Sequence, residues 1–259
     1  MRSALNEYGT AGKGLEGVGL ALGRALVSQF RGPMLLALLL PFIVALIGAI
    51  VLVWLFWDPL TVWLQTTLFA LPFMQQIDSL LLAVGIASLK LWLIPVVCAL
   101  ILLPLSGILG LVVAALLIMP LVLRNLERND YPGLERRGRG GALASAWNAA
   151  WVSVLFVLGW LFTLPLWLLP PLAIVLPVAW WTFAFTRMLR LDAMLEHASP
   201  TERRALLARH NRGYWTLGLI CSLINLVPLA WFLLPVFSAL LFSHFTLEGL
   251  RRLRSETTP

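Results

Sequence analysis

The stretch from Leu217 to His244 is almost wholly apolar, yet Pro228 and Pro235 interrupt it. Unbroken, it would pass as a membrane-spanning helix, but each proline removes a backbone donor and clashes with the preceding turn. A bent helical hairpin accommodates both. The pattern occurs earlier too: Pro171-Leu172-Ala173 ahead of Leu176-Pro177-Val178 matches Pro228-Leu229-Ala230 ahead of Leu234-Pro235-Val236, with a spacing one residue shorter. Pro171, Pro177, Pro228 and Pro235 are therefore expected to shape two hairpins.

Composition puts those hairpins in a bilayer. With 60% hydrophobic and 12% charged residues and a mean hydropathy of +0.90, a water-soluble fold would expose apolar surface that water disfavours. The chain reads as one integral membrane domain over residues 1–259. Its net charge of +7 alone would admit nucleic acid or a membrane surface as partner, but the distribution favours topology. The basic residues fall into four groups, Arg2 to Arg31, Arg124 to Arg139, Arg187 to Arg212 and Arg251 to Arg254, with Lys90 apart. The positive-inside bias places all four, and both termini, on the cytoplasmic side. Asp58 to Asp78, which lacks Lys and Arg, then faces outward. Cys98 and Cys221 both lie in apolar runs and are expected as packed free thiols. The first 30 residues lack the continuous apolar core of a cleavable signal peptide, so the first span is expected to direct insertion.

In chain order, residues 1–11 read as a loose tail. Over 12–30, Leu15, Val18, Leu22, Leu26 and Phe30 recur at helical spacing opposite Lys13, Glu16 and Arg24, which predicts an amphipathic helix on the interface or on the protein's own cytoplasmic face. Residues 34–57 form a first span of about 36 Å, enough for a bilayer of about 30 Å with tilt. Trp54, Trp57 and Trp63 mark its outer interface. Residues 79–123 would run about 68 Å as helix. Two crossings there would put the Arg124 cluster outside, so one long helix kinked near Pro95, Pro104 and Pro120 is expected, with Lys90 snorkelling outward or facing a partner. Arg124 to Gly141 reads as a solvated basic loop turning at Pro132-Gly133. Residues 151–187 and 214–250 are the two hairpins. Their limbs, about 30 and 22 Å, then 21 and 22 Å, are short for full crossings, so hemi-penetrating wedges are expected. Between them, Ser199, Pro200 and Glu202 spell a capped helix start, and 199–212 is expected to be a cytoplasmic helix with a solvated arginine face.

Catalytic and cofactor motifs are missing. No phosphate-binding glycine loop, paired-cysteine site or His-Glu-x-x-His motif occurs, and no acid, base and nucleophile gather, so neither an enzyme nor a resident metal or cofactor is expected. His244 and Glu248 are spaced to pair on one helix face, and Ser222 and Asn225 to hydrogen-bond between helices or line an ion path.

From Leu191 to Leu250 the chain resembles the C-terminal part of the CysZ sulfate-permease family, within the wider etoposide-induced-protein membrane domain. The shared pattern is an acidic turn, an Arg-rich amphipathic helix and an apolar hairpin closed by Pro and Pro-Val, matched here by Asp192, Arg203, Arg204, Pro228, Pro235 and Val236. Weaker matches at Leu26 to Gln29, Pro95 to Pro120 and Met119 to Glu127 extend it over most of the chain. The resemblance implies a bacterial inner-membrane protein with two long transmembrane helices and two hemi-penetrating pairs, passing sulfate or another oxyanion and forming homo-oligomers. Proteins of that family open the first long helix with Gly-hydrophobic-Arg-Arg, where helix amides and guanidinium groups can hold sulfate. Here the place reads Ser28-Gln29-Phe30-Arg31-Gly32-Pro33-Met34: the glycine is kept, the paired arginines are absent and Arg31 precedes the glycine. Ser28, Gln29, Arg31 and Gly32 are the anion-binding residues the resemblance assigns. The alternative is a non-transporting membrane-organising or interaction protein built on the same wedges.

Overall fold

The computed structural model describes residues 17–85, 87–138 and 142–257. The tail at 1–11 and the start of the 12–30 helix, with Lys13, Leu15 and Glu16, lie outside them. Every element is a helix among the described residues: α1 over 17–29, then α2 Gly32–Thr67, α3 Pro72–Ala83, α4 Leu89–Asn129, α5 Ala142–Thr163, α6 Pro170–Leu195, α7 Pro200–Ile224 and α8 Leu234–Thr257, with short 3₁₀ turns at Leu164–Leu168 and Pro228–Phe232. The chain divides into two compact units, residues 39–116 and the remainder.

Within residues 39–116, α2 continues to Thr67, ten residues beyond the predicted end, although Pro59 lies inside it. Packing outweighs the lost donor: Trp57, Leu60, Leu64 and Leu68, one helical face, pack with Phe69, Ile94 and Cys98. The predicted 79–123 helix is broken in two. Gly85 adopts φ +82°, the left-handed conformation that closes a helix. Buried Asp78 then accepts from Ser88 Oγ at 2.8 Å and Leu89 N at 2.7 Å, capping α4. Lys90 lies with its Nζ 5.5 Å from the Phe69 ring centroid, so its charge is held by a π face. Gly110 admits close approach, because a Cβ there would stand 2.6 Å from the Pro41 carbonyl.

In the other unit, α8 is buried on nearly every side from Val236 to Leu250. The capping box read from Ser199 and Glu202 is formed, Glu202 N donating to Ser199 Oγ at 3.3 Å and Ser199 N to Glu202 Oε2 at 2.8 Å. The helix it starts runs on past Gly213 to Ile224, so 199–212 and the following limb are one element. Gly213 lies under the Phe245 ring, and Gly218 packs on Thr186 and the Thr182 carbonyl of α6. Apolar burial contributes little to helix association in lipid, where small residues and interhelical bonds matter instead. Ser222 supplies such a bond to the Val178 carbonyl at 2.8 Å. Asn225 caps the end of α7, and its carbonyl accepts from Trp231 Nε1 at 2.7 Å.

Both hairpin turns are set by a residue that precedes proline and is therefore extended: Leu169 at φ −91°, ψ 112° and Val227 at φ −94°, ψ 111°. Their surroundings differ. The first 3₁₀ turn comes before its extended residue, leaving Pro171 in the first turn of α6 and Pro177 inside that helix. The second comes after, so Pro228 opens the 3₁₀ turn and Pro235 the first turn of α8.

Candidate functional site

Among the described residues, a buried polar cluster is assembled by α1, the end of α4 and α8. Arg24, Ser28 and Arg31 follow at spacings of four and three, which aligns them along one side of α1 and the turn after it. His244 and Glu248 are one turn apart on α8. Between these helices come Asp130 and Tyr131, directly after α4.

Ser28 Oγ lies 3.0 Å from His244 Nε2. The Tyr131 hydroxyl is 3.2 Å from His244 Nδ1 and 3.2 Å from the His244 carbonyl. Arg24 Nη1 donates to Tyr131 Oη at 3.1 Å and to Glu248 Oε2 at 2.9 Å. One assignment satisfies every group: Ser28 donates to Nε2, neutral His244 donates from Nδ1 to Tyr131, and Tyr131 donates to the His244 carbonyl. Glu248 also takes Arg251 and Arg252, each at 3.0 Å. His244 and Glu248, spaced to pair with each other, are thus each held by other partners.

Arg31 makes a two-pronged pair with Asp130, Nη1 to Oδ2 at 2.5 Å and Nη2 to Oδ1 at 2.8 Å. The guanidinium holds the Asp130 carboxyl below its usual range, while burial pushes the Tyr131 phenol up. Asp130 therefore presents its carboxylate where an external oxyanion would meet Arg31. The amides nearby are largely used: Met34 N and Leu35 N both donate to the Arg31 carbonyl, at 2.9 and 3.1 Å. Pro33 has no N–H, which leaves Gly32 N as the open donor of the first turn. No atom would crowd a side chain at Gly32. Gln29, only 3% exposed, has both its amide oxygen and its amide nitrogen buried without a hydrogen-bond partner. So Ser28 and Arg31 are engaged by protein groups, while Gln29 and the Gly32 amide have capacity to spare.

The segment read as a solvated basic loop is stapled down over its described part. Glu127 takes a fork from Arg136 at 2.5 and 2.6 Å and lies 2.6 Å from His197 Nε2. Arg254 reaches Glu202 Oε1, the Glu135 carbonyl and the His197 carbonyl, each at 2.8 Å. Gly133 turns the chain at φ +84°. Asp130, Tyr131, Glu127 and His197 were the residues sequence reasoning passed over. Carboxylates interleaved with the arginines of Arg124 to Arg137 were the available signal, since alternating signs favour pairing over free solvation.

Among the described residues, no three His, Cys, Asp or Glu side chains gather as a metal site. Four helical stretches, Gly32–Thr67, Leu89–Gly107, Leu143–Leu168 and Pro170–Leu195, are long and apolar enough to cross a membrane. Helical throughout its described elements and strongly apolar, the chain is a multi-pass membrane protein. It belongs to the family described as Sulfate transporter CysZ/Etoposide-induced protein 2.4, which matches residues 21–235. No curated protein and no solved structure matches the chain.

Proposed function

We propose that this protein passes a sulfate-class oxyanion across a bacterial inner membrane, as a homo-oligomer with both termini on the cytoplasmic side. The anion enters at Ser28, Gln29, Arg31 and Gly32 by taking the place of the Asp130 carboxylate on Arg31. Family membership supports the substrate class. The observation that carries the entry site is the buried, unpartnered Gln29 amide beside an Arg31 already built to hold an oxyanion. Buried polar groups without partners are costly, and a ligand that supplies acceptors relieves the cost.

The test is labelled-sulfate uptake into proteoliposomes holding the full chain. Wild-type flux should saturate. Arg31→Ala should lower it at least about tenfold, the cost of losing one charge-assisted contact. Asp130→Asn should tighten sulfate binding, because the competing internal anion is gone. Flux indifferent to Arg31→Ala would overturn the entry site, and no flux of any oxyanion would overturn the function.

A second reading has an observation of its own. With Arg31 closed by Asp130 and a single first-turn amide open, the same fold serves as a non-transporting membrane-organising protein. Absence of both flux and calorimetric sulfate binding, in Asp130→Asn as in wild type, would favour it.

A further inference from the structure

A second cationic site lies apart from the Arg31 cluster. A groove of about 400 Å³ is lined by Asn148 of α5, Arg187 and Arg190 of α6, and Arg203 and Arg204 of α7, over apolar side chains that include Met194. Helix spacing accounts for the convergence: Arg187 and Arg190 are three apart near the end of α6, and Arg203 and Arg204 open α7 just after the reversal at 196–199. Asn148 Nδ2 donates to the Arg187 carbonyl at 3.2 Å, which ties α5 to this end of α6.

The groove gathers four arginines at one cavity with no carboxylate among its lining residues; Arg124, Arg128 and Arg212 also lack a carboxylate partner among the described residues. Arg24, Arg31, Arg136, Arg137, Arg209, Arg251, Arg252 and Arg254 all have carboxylate partners. Among the described residues, none of the four groove arginines has one. Arg190 donates only to the neutral Asn211 amide at 3.2 Å, and Arg187 faces the Phe183 ring at 5.9 Å. The Arg203 Nε is buried with no hydrogen-bond partner. Nearby carboxylates are committed elsewhere: Asp192 accepts from Ser145 at 2.6 Å, Glu196 pairs with Arg136 at 3.5 Å and Glu202 with Arg254 at 2.8 Å. Four like charges and an orphaned donor around one cavity cost free energy that an anion bound there would recover.

We propose that this groove binds a phosphate group. Tetrahedral phosphate offers several acceptors to planar guanidinium forks arriving from two helices, which one carboxylate cannot match. Two sources carry that chemistry, an anionic phospholipid and free phosphate. The setting suits the lipid: Arg187 and Arg190 end a helix long and apolar enough to span, so they fall at headgroup depth. Trp147, beside Asn148, is 76% exposed, as indoles at that depth are.

Binding to the full chain in neutral detergent tests this with two probes, inorganic phosphate and phosphatidylglycerol in mixed micelles, against phosphatidylcholine micelles as reference. The variant is Arg187→Gln with Arg204→Gln, both exposed and without a carboxylate partner among the described residues, the Arg187 guanidinium meeting the Phe183 ring. The control is Arg124→Gln with Arg128→Gln, which removes equal charge elsewhere. Wild type and control should bind phosphatidylglycerol, and the groove variant at least about tenfold more weakly. Binding of inorganic phosphate as well, with the same loss, would show that the headgroup alone suffices; phosphatidylglycerol alone would show that the acyl chains are needed. Either supports the site. Binding of neither probe, or equal weakening in variant and control, overturns it. Sulfate flux through the Arg31 site is a separate measurement and can survive either outcome.

Discussion

Gly218 shows how much one hydrogen atom governs in this molecule. A Cβ at that position would stand 2.8 Å from the Thr182 carbonyl, a backbone atom, and closer still to the Thr186 hydroxyl. The hydroxyl can rotate away, but the carbonyl cannot move without shifting α6. Gly218→Ala should therefore destabilise the protein by about 1–3 kcal/mol as an overpacking substitution. Gly23→Ala is the matched control, because nothing lies within 4 Å of its added Cβ. There, the gain in helix propensity should leave stability unchanged or raise it by up to about 1 kcal/mol. Thermal unfolding in detergent should separate the two by several degrees, and equal midpoints would mean that α6 and α7 are not in close contact at Gly218. In the sequence Gly218 is only one residue of the apolar run from Leu217 to His244, since the residue that needs its missing side chain comes from another helix.

At the scale of elements, the staple from Glu127 through Arg136 and His197 joins the segment after α4 to the α6–α7 turn. Arg136 holds Glu127 below its ordinary range, and burial holds His197 below its own despite the nearby carboxylate. His197 Nδ1 is buried without a partner, so the neutral ring donating from Nε2 fits and an imidazolium would strand a proton. Both folded-state values are depressed, so at acid pH the unfolded chain takes up protons that the folded chain resists. Stability is complete above the ordinary histidine value of 6.5, declines below it through His197, and declines again through Glu127 below the ordinary glutamate value of 4.5. The midpoint should thus fall between pH 7.5 and 5.5, and His197→Gln should lower it at pH 7.5 while flattening part of that fall; an unchanged slope would remove His197 from the account. Elements of this kind were only partly legible. The Ser199–Glu202 cap could be read because all its groups lie within four residues. The break at Gly85 was missed because the glycine acts together with Asp78, whose capping role depends on the chain folding back. The staple was missed because Glu127 and His197 are 70 residues apart.

For the whole molecule, limb length bears on how deep the two Pro-interrupted pairs go. The apolar part of α7, from Gly213 to Ile224, is about 18 Å long, and that of α8, from Leu234 to Leu250, about 25 Å, both short of a bilayer core of about 30 Å. Neither is among the stretches long and apolar enough to cross, whereas α5 with its 3₁₀ turn and α6 both are. The limbs counted from sequence, 151–170 and 172–186, put the turn at Pro170-Pro171 and end the second limb at Thr186, nine residues before the observed end of α6 at Leu195. The 3₁₀ turn lies at Leu164–Leu168, and α6 gains most of its length by continuing past Thr186. Single cysteines at Ile174 and Trp231, both exposed side chains close to the turns, report depth directly. Cys98 and Cys221 are fully buried and contribute little background. Labelling intact cells with a membrane-impermeant maleimide should leave both positions unmodified if both pairs are wedges entered from the cytoplasm. Modification of Ile174→Cys with protection of Trp231→Cys would make α5 and α6 a full crossing and keep α7 and α8 as a wedge. Modification of Trp231→Cys would overturn the wedge at Leu217 to His244, where the prolines argue for a hairpin and only the limb lengths for half depth.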